Sequence, residues 1–186
     1  MRILAVDTSS EHGSVCVTAD HEVLGEIRLA SSVQYSERLF RSVDFLFRHL
    51  PFQLSDIDLF VAARGPGSFT GLRVGLAAVE GFVAAHGKRG AGISTLAALA
   101  WKTAVRDVLI APVIDARRGD VYGALYRRRS GSLEFDEFDT LVEERPPVVL
   151  KPAEWLASLP RGPLAPLYVR RTDAEILRES IGSPNS

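Results

Sequence analysis

The segment Arg64-Gly65-Pro66-Gly67-Ser68-Phe69-Thr70-Gly71-Leu72-Arg73-Val74-Gly75 joins an apolar, strand-like run, Leu59 to Ala63, to a helical pattern that continues towards His86. Glycine takes positive φ at little cost and proline fixes its own φ, so Gly65, Pro66 and Gly67 make a tight, stiff corner between strand and helix. The first turn of the following helix carries unpaired N–H groups and a positive dipole end, which suits a phosphate or simply closes the corner. Neither common nucleotide loop is present. A Walker loop needs a Lys after its last Gly, and the dinucleotide fingerprint needs a Gly where Thr70 stands. The default reading is a structural corner.

Composition narrows the classes further. At 186 residues, 46% hydrophobic and 24% charged, the chain is an ordinary soluble one, able to bury one core or two small ones. Twenty-two Lys and Arg against 23 Asp and Glu give a net charge of -1, without the basic excess of a domain that grips nucleic acid alone. Any nucleic-acid role is therefore shared. Cys16, the lone cysteine, sits in Val15-Cys16-Val17 and reads as a small buried strand residue suited to a reducing compartment. The apolar start Ile3 to Val6 stops at Asp7, too short for a signal peptide, and no apolar run reaches membrane-spanning length. The expected location is the cytoplasm.

Ile3 to Asp7, Ser14 to Ala19 and Glu22 to Leu29 alternate or run apolar and predict a three-strand meander. A helix is predicted from about Ser36, with Leu39, Val43, Leu46 and Leu50 on one face and Pro51 as its stop. The strand Leu59 to Ala63, the corner and a helix Thr70 to His86 follow. Gly90 to Ile93 then forms a short strand, and Ser94-Thr95 caps a helix through Ala104. Three strands followed by alternating helices and strands match the ribonuclease-H-like lobe of the actin and sugar-kinase group, by analogy of strand order. A second unit is expected over 106–186, after a first over 1–105. Val108 to Ile114 and Asp120 to Tyr126 flank a turn at Asp115 to Gly119, and Glu134 to Leu141 adds a strand. Pro152 to Leu159 reads as a helix, Pro160 to Pro166 leads into Leu167 to Arg170, and Gly182 to Ser186 is a frayed end.

Several blocks in this order resemble the TsaB family. They are Ile3 to Ser9 with Asp7, Thr8 and Ser9; Gly65, Pro66, Gly67, Ser68, Phe69, Thr70, Gly71, Leu72 and Arg73; Ile93 to Leu96; Val113 to Gly119 with Asp115, Arg117 and Arg118; and Pro166 to Arg170. The resemblance spans nearly the whole chain. It implies an actin-like (ASKHA) two-lobed α/β fold and a role as the dimerisation subunit of the machinery that makes threonylcarbamoyladenosine beside the anticodon of tRNA. It also implies pairing with a TsaD-type catalytic paralogue and assistance by a TsaE-type ATPase.

The departures from that paralogue are informative. It carries a His-x-x-x-His metal pair where this chain has Thr95 and Leu99, and a Ser-Gly-Gly-His-Thr phosphate loop where this chain has Asp115-Ala116-Arg117-Arg118. A non-catalytic relative with no cofactor and no metal is therefore expected. Family members also carry a further strand and helix between segments like Glu154-Trp155-Leu156 and Pro166-Leu167-Tyr168, so the second lobe is abbreviated. Asp7 with Thr8 and Ser9 reads as a backbone-satisfying turn rather than a magnesium site. His12, His21, His49 and His86 are scattered without metal-ligand spacing, and Arg127 to Arg129 and Arg170-Arg171 read chiefly as solvated faces. Trp101 and Trp155 read as core or interface anchors.

Two helices offer a partner surface. Phe40 and Phe47 lie about a quarter turn from the Leu39, Val43, Leu46, Leu50 stripe, leaving a second apolar face to cover. Gly71, Gly75 and Ala78 form a small-residue strip on the second helix, and an interior glycine costs about 1 kcal/mol against alanine, so close packing should justify it. That packing is with a partner or with the chain's own sheet. In the resembled family, subunits pair through these two helices, which assigns Leu39, Phe40, Val43, Phe47, Gly71, Leu72, Gly75 and Ala78 to the interface. The function expected is a non-enzymatic subunit that binds and activates the catalytic paralogue, with tRNA contact indirect or shared and a homodimer as fallback. The rivals are a nucleotide-dependent actin-like enzyme, such as a sugar or acetate kinase, and a metal-dependent glycoprotease-like hydrolase.

Overall fold

The structure is a computed structural model that describes residues 1–20, 22–30, 35–102, 109–133 and 136–159. Two compact units divide the chain, Met1–Thr95 and Leu96–Ser186. The division falls ten residues before the expected boundary at 105/106.

The first unit opens with a meander of β1 (Arg2–Asp7), β2 (His12–Ala19) and β3 (Glu22–Ala30), followed by α1 (Tyr35–His49) and a 3-10 turn at Leu54–Asp56. Then come β4 (Leu59–Gly65), α2 (Phe69–His86) and β5 (Arg89–Ser94). The sheet order is β3-β2-β1-β4-β5; β2 is antiparallel to both its neighbours, whereas β1, β4 and β5 run parallel. Alternate residues of β2 face inward because side chains change face at every strand position, and Val15 and Val17 are buried on one side. With Leu4, Val6, Phe60 and Ile57 they meet the aliphatic stripe of α1, Leu39, Val43 and Leu46, in one continuous core. Full burial of each large side chain contributes about 1.5–3 kcal/mol, which is what holds α1 on the sheet. Cys16, expected to be buried, alternates to the opposite side of β2 and is half-buried. Burial first, and then the Glu26 carboxylate, push its thiol upward from the ordinary value.

Helix α2 ends as its sequence directs. Gly87 adopts φ 62 and its N–H donates to the Val83 carbonyl, closing the last turn with the one residue type that takes the left-handed region freely.

In the second unit, α3 (Thr95–Trp101), which starts from the last residue of the first unit, is followed by β6 (Leu109–Ile110), β7 (Val113–Arg117), β8 (Asp120–Leu133), β9 (Asp136–Leu150) and α4 (Pro152–Ser158). The single strand expected over Val108 to Ile114 is two strands, separated by the buried pair Ala111-Pro112. Proline has no N–H to give a sheet ladder, so the strand breaks there. Strand β8 continues to Leu133 instead of ending at Tyr126 and pairs antiparallel with β6, β7 and β9. Its alternation separates two clusters. Ala124 and Tyr126 join Leu96, Leu99, Ala100 and Ile110, whereas Leu125 joins Ala111 and Val113. The expectations for His21, Glu134, Pro160 to Pro166, Leu167 to Arg170, Arg171 and Gly182 to Ser186 lie outside the described residues.

Candidate partner-binding groove

The glycine corner is fastened to the end of β1. The Ser68 N–H donates to the Ser9 carbonyl at 2.6 Å, and the Ser68 hydroxyl accepts from the Gly71 N–H at 3.3 Å as the N-cap of α2. Thr8, buried at the end of the strand, donates its Oγ1 hydrogen to the Gly71 carbonyl at 2.7 Å. The helix therefore lies directly on Thr8. A Cβ on Gly71 would collide with the Thr8 carbonyl oxygen, one on Gly75 with Thr8 Oγ1, and one on Gly67 with the Ser9 carbonyl. The Gly65-Pro66 peptide is cis, and Gly65 has φ 103. Asp7 Oδ1 accepts from the Ser9 N–H at 2.8 Å, so this carboxylate closes a local turn.

These contacts draw several residues expected at the interface into the first unit's own packing. Gly71, Gly75 and Ala78 are buried, with both glycines pressed against Thr8, and Leu39 and Val43 are buried among the sheet residues. Of these five, Ala78 alone also borders the open space between the two helices. Leu72 is half-buried, its Cδ1 lying 3.0 Å from where a Gly65 Cβ would stand. Phe47 is half-buried on the core with its ring edge-to-face with Phe52 at 6.1 Å, so the chain itself covers it.

The other side of the same helices is open. A groove of about 500 Å³ runs between Ser36 and Phe40 of α1 and Phe69, Thr70, Arg73, Val74, Ala77 and Ala78 of α2. Its walls are two large exposed rings, Phe40 at 51% and Phe69 at 74% exposure. Phe40 leans on Phe82 edge-to-face at 5.8 Å, and the Arg73 guanidinium lies 5.4 Å above the Phe69 ring. Phe45, five residues after Phe40 on α1 and on a different face of the helix, is 55% exposed. Polar pairs edge the helix, with Arg41 on Glu37 and Arg48 on Asp44, each at i,i+4 spacing. Apolar rings standing beside a concavity are the ordinary make-up of a protein-docking surface.

Elsewhere the candidate chemistry is sparse. Arg117 and Arg118 are exposed at the β7–β8 turn, both with positive φ, and the Arg117 N–H donates to Asp115 Oδ1 at 2.7 Å. Thr95 starts α3, but its hydroxyl, like that of Ser9, is buried without a hydrogen-bond partner and so caps nothing. Among the described residues, no group of three or more His, Cys, Asp or Glu side chains is arranged to hold a metal. His12 begins β2, while His49 and His86 end α1 and α2. No described helix is long and apolar enough to cross a membrane.

A family model described as TsaD, tRNA N6-adenosine threonylcarbamoyltransferase, matches residues 25–169. The chain belongs to this family, in its TsaB branch. The TsaB protein of Escherichia coli is 36% identical over 82% of this chain, and that of Bacillus subtilis 33% identical over 72%. Both are named tRNA threonylcarbamoyladenosine biosynthesis proteins. The chain spans 63% and 58% of those two relatives' lengths. Among solved structures, YeaZ from Pseudomonas aeruginosa superposes with a TM-score of 0.68 at 28% identity, covering 83% of this chain and 69% of that one. A second structure, titled an uncharacterized protein with similarity to peptidase YeaZ from Pseudomonas aeruginosa, superposes at 0.71 over 97% of this chain and 93% of its own, and at 23% identity speaks for the fold alone. The actin-like α/β fold expected from strand order is the fold of this family member.

Sequence reasoning missed Phe69 as a groove wall. It was visible only as the large apolar residue between the cap Ser68 and the helix, four positions before Arg73, where two side chains meet on one helix face. Phe45 gave no comparable signal, since it lies off both apolar stripes of α1.

Proposed function

We propose that the chain is a non-catalytic subunit that binds a TsaD-type threonylcarbamoyltransferase through the α1–α2 groove and supports its modification of tRNA beside the anticodon. The observation that carries this is the open groove of the first unit, walled by the exposed rings of Phe40 and Phe69. The names of the TsaB relatives and the match to the transferase family support the pathway. Thr95 and Leu99, standing where the resembled catalytic paralogue carries its metal histidines, support a subunit without chemistry of its own. A TsaE-type ATPase joins the same assembly, tRNA contact is shared with the transferase, and a homodimer forms where the partner is missing. Neither rival enzyme gains a specific observation.

The test is sedimentation of the chain mixed with the TsaD-type transferase of the same organism, followed by tRNA modification with and without the chain. The expected result is a defined complex, and modification that depends on it. Transferase that sediments alone and modifies tRNA equally well without the chain would contradict the assignment.

A further inference from the structure

The groove carries charge of one sign. Arg73 is the one ionisable residue in its lining, and the Phe69 ring is the guanidinium's recorded contact, with no carboxylate paired to it among the described residues. Both acids of α1 are already engaged, Glu37 by Arg41 at 2.5 Å and Asp44 by Arg48 at 2.7 Å. Whatever covers the groove strips water from Arg73, and a guanidinium that loses water without gaining an acceptor opposes binding strongly.

We propose that Arg73 makes the groove select a different chain bearing a carboxylate over a second copy of this one. Two-fold pairing sets the same patch against itself, so a second copy seated on the groove brings a second guanidinium to the same patch, and the lining it brings holds no carboxylate. A partner helix with an apolar face and one Asp or Glu opposite Arg73 satisfies both the rings and the charge. The acid that α2 itself offers is Glu80, two turns beyond Arg73 and about 10.5 Å along the axis, outside the groove. This inference rests on the docking role proposed for the groove and names the chemistry of its occupant.

The experiment compares the full chain with Arg73→Ala and Arg73→Lys, measuring self-association and binding to the TsaD-type transferase by sedimentation at low and high salt. Arg73 is exposed, and unchanged melting confirms that the variants fold. Arg73→Ala is expected to weaken transferase binding about tenfold or more, remove much of its salt dependence, and strengthen self-association. Arg73→Lys, which keeps the charge, should retain most of the binding. Unchanged transferase affinity in Arg73→Ala, or self-association that weakens with it through Glu80 of a second copy, would overturn the inference. If the parent chain fails to bind the transferase, the functional reading falls. The self-association arm then decides whether Arg73 repels a second copy, and no strengthening in Arg73→Ala overturns that too.

Discussion

The two faces of α2 have similar sequences and opposite duties. Its inner face holds Gly71 and Gly75, where no larger side chain fits because Thr8 lies against the backbone. Its outer face holds Thr70, Ala77 and Gly81, and a Cβ at Gly81 would meet nothing within 4 Å. Small residues on the first face are a demand of the chain's own sheet; on the second, among the described residues, nothing stands where a Gly81 Cβ would go. A strip of small residues alone thus does not mark a partner surface. The exposed rings of Phe40 and Phe69 beside the outer face are what support one in the proposed reading.

The comparison breaks most readily at Gly71. Gly71→Ala forces a methyl group into the Thr8 carbonyl, a backbone atom that cannot swing aside, and should cost at least about 3 kcal/mol in urea unfolding. Parental stability would mean that α2 does not lie on β1 as described. At Gly75 the obstacle is the Thr8 hydroxyl, so Gly75→Ala should cost about 1–3 kcal/mol, and less in a Thr8→Ala background, where the obstacle is gone. Additive costs would show that Gly75 and Thr8 do not touch.

Phe40 and Phe47 sharpen the same contrast on α1. Phe47→Gln removes a ring packed on the core and should lower stability by about 2 kcal/mol, whereas Phe40→Gln should lose only the edge contact with Phe82, about 0.5–1.5 kcal/mol. Association should respond in the opposite order, with the larger loss for Phe40→Gln. Thermal melting beside binding to the transferase separates the two. The smallest effect belongs to Gly81→Ala, which relieves an interior helical glycine in open space and should stabilise the free chain by up to about 1 kcal/mol. A loss of stability there would mean that the outer face of α2 is already covered within the chain.

Much of the architecture was legible because it rests on local signals. The alternation of Ile3 to Leu29, the aliphatic stripe of α1, and the Gly65-Pro66-Gly67 corner each specify their element with short-range chemistry, and the sheet order follows from their sequence. What misled was the direction of faces. Spacing places Gly71, Gly75 and Ala78 on one side of α2 but carries no information about Thr8, more than sixty positions earlier, which fixes that side inward. Phe47 shares a stripe with Phe40 by helical geometry alone, yet its ring finds Phe52 beyond the end of α1. Pro112 and the full length of β8 were misread because strand ends there depend on which neighbours are paired, a long-range matter.

The most direct test of the outer-face account is Ala77→Arg. Ala77 is exposed on α2 and lines the groove, so a long cationic side chain there fills the docking space without entering the core. Sedimentation of this variant with the TsaD-type transferase, beside its melting curve, should give parental melting and an association weakened about thirtyfold or more. Parental melting together with parental affinity would place the partner somewhere other than the α1–α2 groove.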